Sequence, residues 1–465
     1  MPARLFAAFV AASLLGGCSL GPHYRKPVAE TPTAWHGQVD AQAAQWPAAD
    51  WWRGFGSPRL VELIAQAQSA NFDIAAAVAR IRQADAQSRI AGAALLPSVG
   101  AGAGIANTLP PPQATAGGVV RPPSATTINP SINASYEIDF WGKNQASLEA
   151  AQASALASRY DRQTVELTVV TSVATTYFQI LSLRDRLVVA QANIDAANSV
   201  LAALQTEENV GTATALDVAQ EETTVAQLLA QVPPLSQQLQ QSIDALAILL
   251  GRTPESVTVE QGTLDVLKMP PVAPGLPSEL LARRPDVAEA EAQLVSANAN
   301  IRVARAAYFP SINLTAEGGL ASVALAGLFG PTGGFYSLAA AVTQPIFEGG
   351  ALEGQVELSQ ARYDELVQDY RKAVVSAFVD VEDALAAEQQ TRLQTQRQQE
   401  AVDKARRAYD ISIAQLKAGT VNLLTVLNTE NALFPAQDAL VQAKLAEYQA
   451  IVSLFKALGG GWRQT

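Results

Sequence analysis

The chain states one plan twice. Asp73 to Pro97 reads as a helix that stops at Leu96-Pro97-Ser98, and Asp286 to Pro310 repeats it, stopping at Phe309-Pro310-Ser311. Further on, Gly211-Thr212 with Leu216 and Val218 recurs 208 positions later as Gly419-Thr420 with Leu424 and Val426. Leu250-Gly251 recurs at the same offset as Leu458-Gly459. A period of this length exceeds any solenoid unit, so it marks a duplicated half-molecule rather than a repeat array. The 465 residues therefore read as one architecture built from two similar halves.

Composition removes several classes of function. Both histidines, His23 and His36, lie ahead of the repeats, which speaks against an enzyme with a histidine base in its core. No segment reads as a P-loop, and Gly102-Ala103-Gly104 lacks the third glycine and the following helix of a dinucleotide fingerprint. A formal charge of −11 without a basic run speaks against nucleic acid, whose phosphates require a cationic face. Nothing in the chain calls for a cofactor or a metal.

The single cysteine, Cys18, closes a short apolar run from Leu5 to Leu15 through Gly16-Gly17. That run falls short of the roughly 20 apolar residues needed to span a bilayer, so 1–17 reads as a signal peptide. Small residues before the cysteine are similar to a bacterial lipobox, with Cys18 as the lipidation site. Ser19 behind it implies sorting to the outer membrane. No other segment reads as a membrane helix, so any crossing is expected to be β.

Periodicity changes along each half. Ile132 to Phe140 alternates apolar even positions with polar odd ones, and Ser311 to Glu317 alternates as cleanly. Ser98 to Ile105 and Phe335 to Phe347 are the other two candidate strands. Their lengths, and aromatics near their ends (Tyr136, Phe140, Trp141, Tyr308, Phe309), suit a transmembrane barrel. The polar set Ser98, Asn133, Glu137, Asp139, Asn313, Thr315 and Glu317 is expected to face the lumen, its carboxylates favouring cations slightly. The two-residue spacing of Glu137 and Asp139 is barrel alternation, not a catalytic pair. Four strands cannot close on themselves, and open edges are not tolerated in hydrocarbon. The smallest membrane barrels have about eight strands, so the chain must oligomerise, as a dimer or a trimer by strand count.

After each hairpin come long proline-free stretches, 143–209 and 350–418, with helical lengths of roughly 100 Å. Each turns at a glycine and returns as an αα-hairpin. Pro233-Pro234 is expected to break the first returning helix midway. A helix from Ser57-Pro58 is expected to run to about Ala94. The boundaries that follow are a leader 1–17, an arm 18–59, a first repeat 60–251 with a β-hairpin 97–140 and a helical hairpin 143–250, a linker 252–275, a second repeat 276–460 with 310–347 and 350–458, and a tail 461–465.

These residues resemble the TolC/OprM-like outer-membrane factors, specifically the NodT-type lipoproteins of tripartite efflux systems. Cys18-Ser19-Leu20-Gly21-Pro22 with Tyr24, Arg25 and Pro27 is similar to the mature N-terminus of that family. Trp52 with Phe55-Gly56-Ser57-Pro58, Arg283-Arg284-Pro285-Asp286, Ala307-Tyr308-Phe309-Pro310, Gln344-Pro345-Ile346-Phe347 and the closing Lys456 to Trp462 carry the rest of the likeness. The resemblance implies a mainly α protein with a membrane β-barrel: a homotrimer whose twelve-stranded barrel continues into a long-helix periplasmic α-barrel. It implies an exit duct and no enzyme, passing small molecules from an inner-membrane pump through a periplasmic adaptor, with outer-membrane lipid around the strands. Gly211, Thr212, Leu216, Gly419, Thr420 and Leu424 resemble the adaptor-docking tips. Relatives often carry an aspartate after the second tip glycine, whereas here the stretch is Val421-Asn422-Leu423-Leu424. Alternatives are a duct for type I protein secretion, or a periplasmic coiled-coil protein without a pore.

The anchor is testable. Cys18→Ala is expected to abolish palmitate incorporation while the protein stays in the outer membrane, because one lipid chain anchors only marginally beside a barrel. Equal labelling of the variant and the wild type would contradict the lipoprotein assignment.

Overall fold

The computed structural model describes residues 21–36, 46–115, 117–259, 262–272, 274–331 and 333–463. Cys18 and the leader lie outside the described residues. The chain divides into two compact units. One combines Arg80–Ser158 with Ala290–Tyr370 and the arm up to Pro27; the other combines Val28–Ala79, Arg159–Glu289 and Arg371–Thr465. Each unit thus takes a segment from both halves of the sequence.

Helix α1 (Pro58–Ala70) starts where its sequence says it should. Ser57 accepts a hydrogen bond from the Leu60 amide as N-cap, and Pro58 sits at the first helical position, where its missing N–H is no loss. The expected run to Ala94 is interrupted. Asn71 separates α1 from α2 (Phe72–Ala93). Its side-chain oxygen accepts from the amides of Asp73 (2.8 Å) and Ile74 (3.1 Å), while its amide donates to the Leu249 carbonyl at 2.9 Å. One side chain therefore caps the start of α2 and the end of α4.

Helix lengths match between the halves. The long helices α3 (Lys143–Asn209) and α7 (Ala351–Lys417) each have 67 residues. The returning helices α4 (Ala215–Leu249) and α8 (Leu423–Ala457) each have 35. A single helical turn, α5 (Pro277–Leu280), precedes α6 (Pro285–Ala306), whose 22 residues equal those of α2. The expected break at Pro233-Pro234 does not occur, and α8 likewise runs through Pro435. Proline's fixed φ is already helical; what it removes is a donor, and packing on both sides of the site outweighs that loss.

Helix α3 also departs from expectation, because it contains a stretch long and apolar enough, by length and composition, to cross a membrane. That apolarity has another use. Val169, Val170, Val173, Ala174, Phe178 and Leu181 pack in the main core of the second unit with Leu60, Leu63, Ile64, Leu246, Tyr448 and Phe455. Trp51 stacks on Phe455 at 4.6 Å, and Phe55 meets Phe178 edge-on at 4.9 Å. Arm residues join the same unit: Trp35 donates to the Gly275 carbonyl at 2.8 Å, and Arg283 lies 4.3 Å over the Trp46 ring.

The Arg284-Pro285-Asp286 motif is structural. The buried Arg284 guanidinium holds Asp286 (2.6 and 2.9 Å), Asp380 (2.8 Å) and the Ala457 carbonyl (3.0 Å). Beside it, Gly459 has φ +81°, and a Cβ there would lie 1.8 Å from the Arg283 carbonyl oxygen. Only glycine permits this approach.

In the first unit, β1 (Ser98–Thr108), β4 (Ala125–Ile138), β5 (Ser311–Leu320) and β6 (Gly334–Thr343) form one antiparallel sheet in that order. A small ribbon of β2 (Gln113–Thr115) and β3 (Gly118–Val120) rises from the β1–β4 connection. The fourth strand stops at Thr343, two residues before Pro345, which cannot donate to a ladder.

Replacing Asn71 with Ala removes two amide acceptors and orphans the Leu249 carbonyl. Asn71→Ala is expected to cost about 1–2 kcal/mol, read as a lower thermal midpoint of the purified protein. An unchanged midpoint would show that the cap contributes nothing.

Candidate channel-forming sheet and hairpin tips

Strand register assigns each side chain to a face. Gly100 pairs with Asn133 and Ser98 with Ser135. Asn133 pairs in turn with Glu317, Ser135 with Thr315, and Glu137 with Asn313. Directly paired residues point to the same side of a sheet. One face therefore carries Ser98, Asn133, Glu137, Asn313, Thr315 and Glu317 together, along with Asn129, Ser131, Ser135 and Ser337. The opposite face carries Val99, Ile105, Ile132, Tyr136, Ile312, Leu314, Leu338 and Val342. Most of those apolar side chains are exposed, Leu338 by 75% and Val99 by 71%.

Asp139 does not belong to the polar face. Strand β4 ends at Ile138, and the Asp139 carboxylate accepts from the amides of Asn144 (3.0 Å) and Gln145 (2.7 Å) at the start of α3. It caps the helix, where free amides and the helix dipole favour an anion. Glu137 is also engaged, bound to Lys143 at 2.6 Å. Among the described residues of that face, Glu317 is the carboxylate without an ion-pair partner. Lys143 is a partner that alternation could not reveal, since it lies on the helix.

Two consequences follow for the sheet. Strands β1 and β6 are each hydrogen-bonded to a strand on one side only. A row of backbone donors and acceptors is thus open at both edges, beside an apolar face. At one end of the strands Trp141 packs on Phe309 at 4.7 Å and on Phe140 at 4.8 Å, while its indole N–H donates to the Pro310 carbonyl at 2.8 Å. This is an amphipathic ring cluster of the kind found at a membrane–water boundary.

In the second unit the two hairpin turns are built alike. Gly211 and Gly419 have φ +82° and +69°, the left-handed conformation that closes a helix. The Thr212 amide donates to the Glu207 carbonyl at 2.9 Å, and Thr420 to Gln415 at 3.0 Å. Both threonine hydroxyls donate to those same carbonyls at 3.1 Å. The returning helices are capped at corresponding positions, by Thr214 in a capping box with Asp217 and by Asn422 on the Thr425 amide. Leu216 and Leu424 stand on the outer side, 66% and 55% exposed, while Val218, Leu423 and Val426 pack inward with Val200 and Leu204. No group of three His, Cys, Asp or Glu side chains that could hold a metal is present among the described residues.

The family model described as "Outer membrane efflux protein" matches residues 63–252 and again 276–460. The pyoverdine export outer membrane protein OpmQ of Pseudomonas aeruginosa is 40% identical over 97% of this chain and 95% of its own length. The toluene efflux pump outer membrane protein TtgC of Pseudomonas putida is 33% identical over 99% and 96%. The crystal structure of the open state of the Neisseria gonorrhoeae MtrE outer membrane channel superposes with a TM-score of 0.84 at 28% identity, covering 96% of this chain and 100% of that one.

The face assignment predicts reactivity. In outer membranes, Thr315→Cys is expected to react with a membrane-impermeant thiol reagent and Leu314→Cys to resist it, because neighbouring strand residues point to opposite sides. Reversed reactivity would mean a register one residue out, since a single-residue slip exchanges the faces.

Proposed function

The chain belongs to the outer membrane efflux protein family, and from that premise we propose that three copies assemble into the exit duct of a tripartite efflux system. The observation that carries this reading is the four-stranded sheet with one polar face, one apolar face and two open edges. Edge-to-edge closure of three such sheets gives a twelve-stranded barrel, with Ser98, Asn133, Glu137, Asn313, Thr315 and Glu317 around the lumen and the apolar face in outer-membrane lipid. Dimers would give eight strands, a barrel whose interior side chains fill. A duct needs the wider one. Asp139 is left out of the lumen set because its carboxylate is committed to the α3 cap.

The repeat supplies the rest of the duct. Two long helical hairpins per copy make twelve helices per trimer, an α-barrel in the periplasm built from α3, α4, α7 and α8. At 67 residues, α3 and α7 are each about 100 Å long. The tips at Gly211, Thr212 and Leu216 and at Gly419, Thr420 and Leu424 dock on a periplasmic adaptor, which joins the duct to an inner-membrane pump. Passage requires no chemical step, so no residue is given a catalytic role. Relatives named for cargoes as unlike as pyoverdine and toluene favour a duct that conducts what its pump delivers. They also favour small molecules over the proteins of a type I secretion system, and the two-faced sheet disfavours a coiled-coil protein without a pore.

The tips provide the test. A Cβ at Gly419 would meet nothing within 4 Å, so Gly419→Val strains only the backbone, by about 1–2 kcal/mol. The expected result is a normal yield of trimer in the outer membrane with loss of efflux-dependent resistance. Full resistance with Gly419→Val and also with Gly211→Val would remove these turns from the docking surface.

A further inference from the structure

The hairpins contain a pair of acids that neither the barrel nor the tips explain. Glu221 on α4 and Glu430 on α8 are 0% and 1% exposed. On α4 the inward face runs Val218, Glu221, Val225, Leu228; on α8 it runs Leu423, Val426, Glu430, Leu433. Each carboxylate thus occupies a position that helical spacing assigns to the core. Tipward lies the cluster of Val200, Leu204, Val218, Leu423 and Val426. On the other side lies the cluster of Ile194, Ala197, Val225, Leu228, Leu433 and Phe434. The acids interrupt an otherwise continuous apolar seam immediately behind the tips.

Their surroundings offer little to a charge. None of the four carboxylate oxygens has a hydrogen bond of good geometry, although the Tyr409 hydroxyl of α7 lies against Glu430. Glu430 acts on Glu221 and Tyr409 acts on Glu430, while Tyr409 is itself influenced by both acids and by Asp410 on the same helix. Helix α3 contributes apolar Ile194, Ala197, Val200 and Leu204 to the flanking clusters, and Asn193 to a cavity that Glu430 also lines, whose charged members Arg186 and Asp438 are paired with each other at 2.6 Å. Among the described residues, no lysine, arginine or histidine acts on either acid. Burying an uncompensated carboxylate is costly, and the group answers by holding its proton.

We propose that Glu221 and Glu430 form a protonation-controlled latch behind the hairpin tips, closing the apolar seam when neutral and loosening the tips when both are ionised. Burial, with repulsion from Glu430 second, pushes Glu221 up to about 8, and burial pushes Glu430 up to about 7. Both lie above the ordinary 4.5, so the packed seam binds protons more tightly than an opened one. Its stabilisation is complete below 4.5 and is lost as pH rises through about 7 and then about 8. The latch would therefore respond within the neutral range. It concerns the hairpins of the single chain and stands or falls separately from the duct assignment.

Hydrogen exchange read by mass spectrometry on the purified full-length protein tests it, between about pH 6 and about pH 9 and corrected for the intrinsic pH dependence of exchange. Wild-type peptides covering the tips are expected to lose protection as pH rises towards the acids' raised values, by about tenfold per pH unit for each acid still protonated in the packed seam, and to level off above about 8. Peptides from the core around Leu246 should not change. In the Glu221→Gln/Glu430→Gln variant the tips should keep their protection across the range. Tip protection independent of pH in the wild type overturns the latch even if the variant fails to assemble. A variant that loses protection with pH as the wild type does overturns it equally.

Discussion

A peptide backbone in hydrocarbon must find every hydrogen bond within protein, and that requirement governs this chain. The sheet of β1, β4, β5 and β6 satisfies its interior ladder and leaves β1 and β6 open on their outer sides. In water such edges would be solvated. Beside a face of Val99, Ile132, Leu314, Leu338 and Val342 they lie where water is excluded, so another strand must complete them. Further copies of the same sheet, as in the proposed trimer, offer strands of matching length and matching polarity on both faces. In the proposed trimer, symmetric closure meets that constraint.

Charge is placed with similar economy. Of the acids near the sheet, Glu137 is held by Lys143 and Asp139 caps α3, which leaves Glu317 to set the charge of the polar face. The Arg284 cluster with Asp286 and Asp380 fixes the start of α6 against α7 and the end of α8. Only the guanidinium is buried, with Asp286 and Asp380 partly exposed, so the ion pairs are weak evidence for stability while their geometry defines which residues of the three helices meet. Against that background, the two buried acids behind the tips stand out, because no cation acts on them among the described residues.

Much of this was legible from sequence, for a physical reason in each case. Alternation in Ile132 to Phe140 and in Ser311 to Glu317 is a property of single strands, so the faces could be assigned before any pairing was known. Glycines at 211 and 419 mark left-handed positions that few other residues occupy. What could not be read depends on contacts between segments distant in sequence. Asn71 interrupts a helix by capping the Asp73 and Ile74 amides, which its residue type allows, but its hold on the Leu249 carbonyl has no local signal. Asp139 continues the strand alternation yet serves the next helix. Pro233, Pro234 and Pro435 carry a strong local signal that packing overrides. Glu221 and Glu430 did leave a trace, polar residues at core spacing, which becomes meaningful only once the flanking apolar clusters are known.

Edge pairing between copies is the central claim, and disulfide trapping addresses it most directly. One cysteine scanned along β1 and one along β6 of the same chain, in a Cys18→Ala background, would report which strands meet in the outer membrane. The account predicts, at positions two residues apart, oxidation-dependent bands of two and three linked chains and no larger species, because closure uses up every edge. Cross-links absent at every position, or a ladder extending beyond three chains, would contradict it.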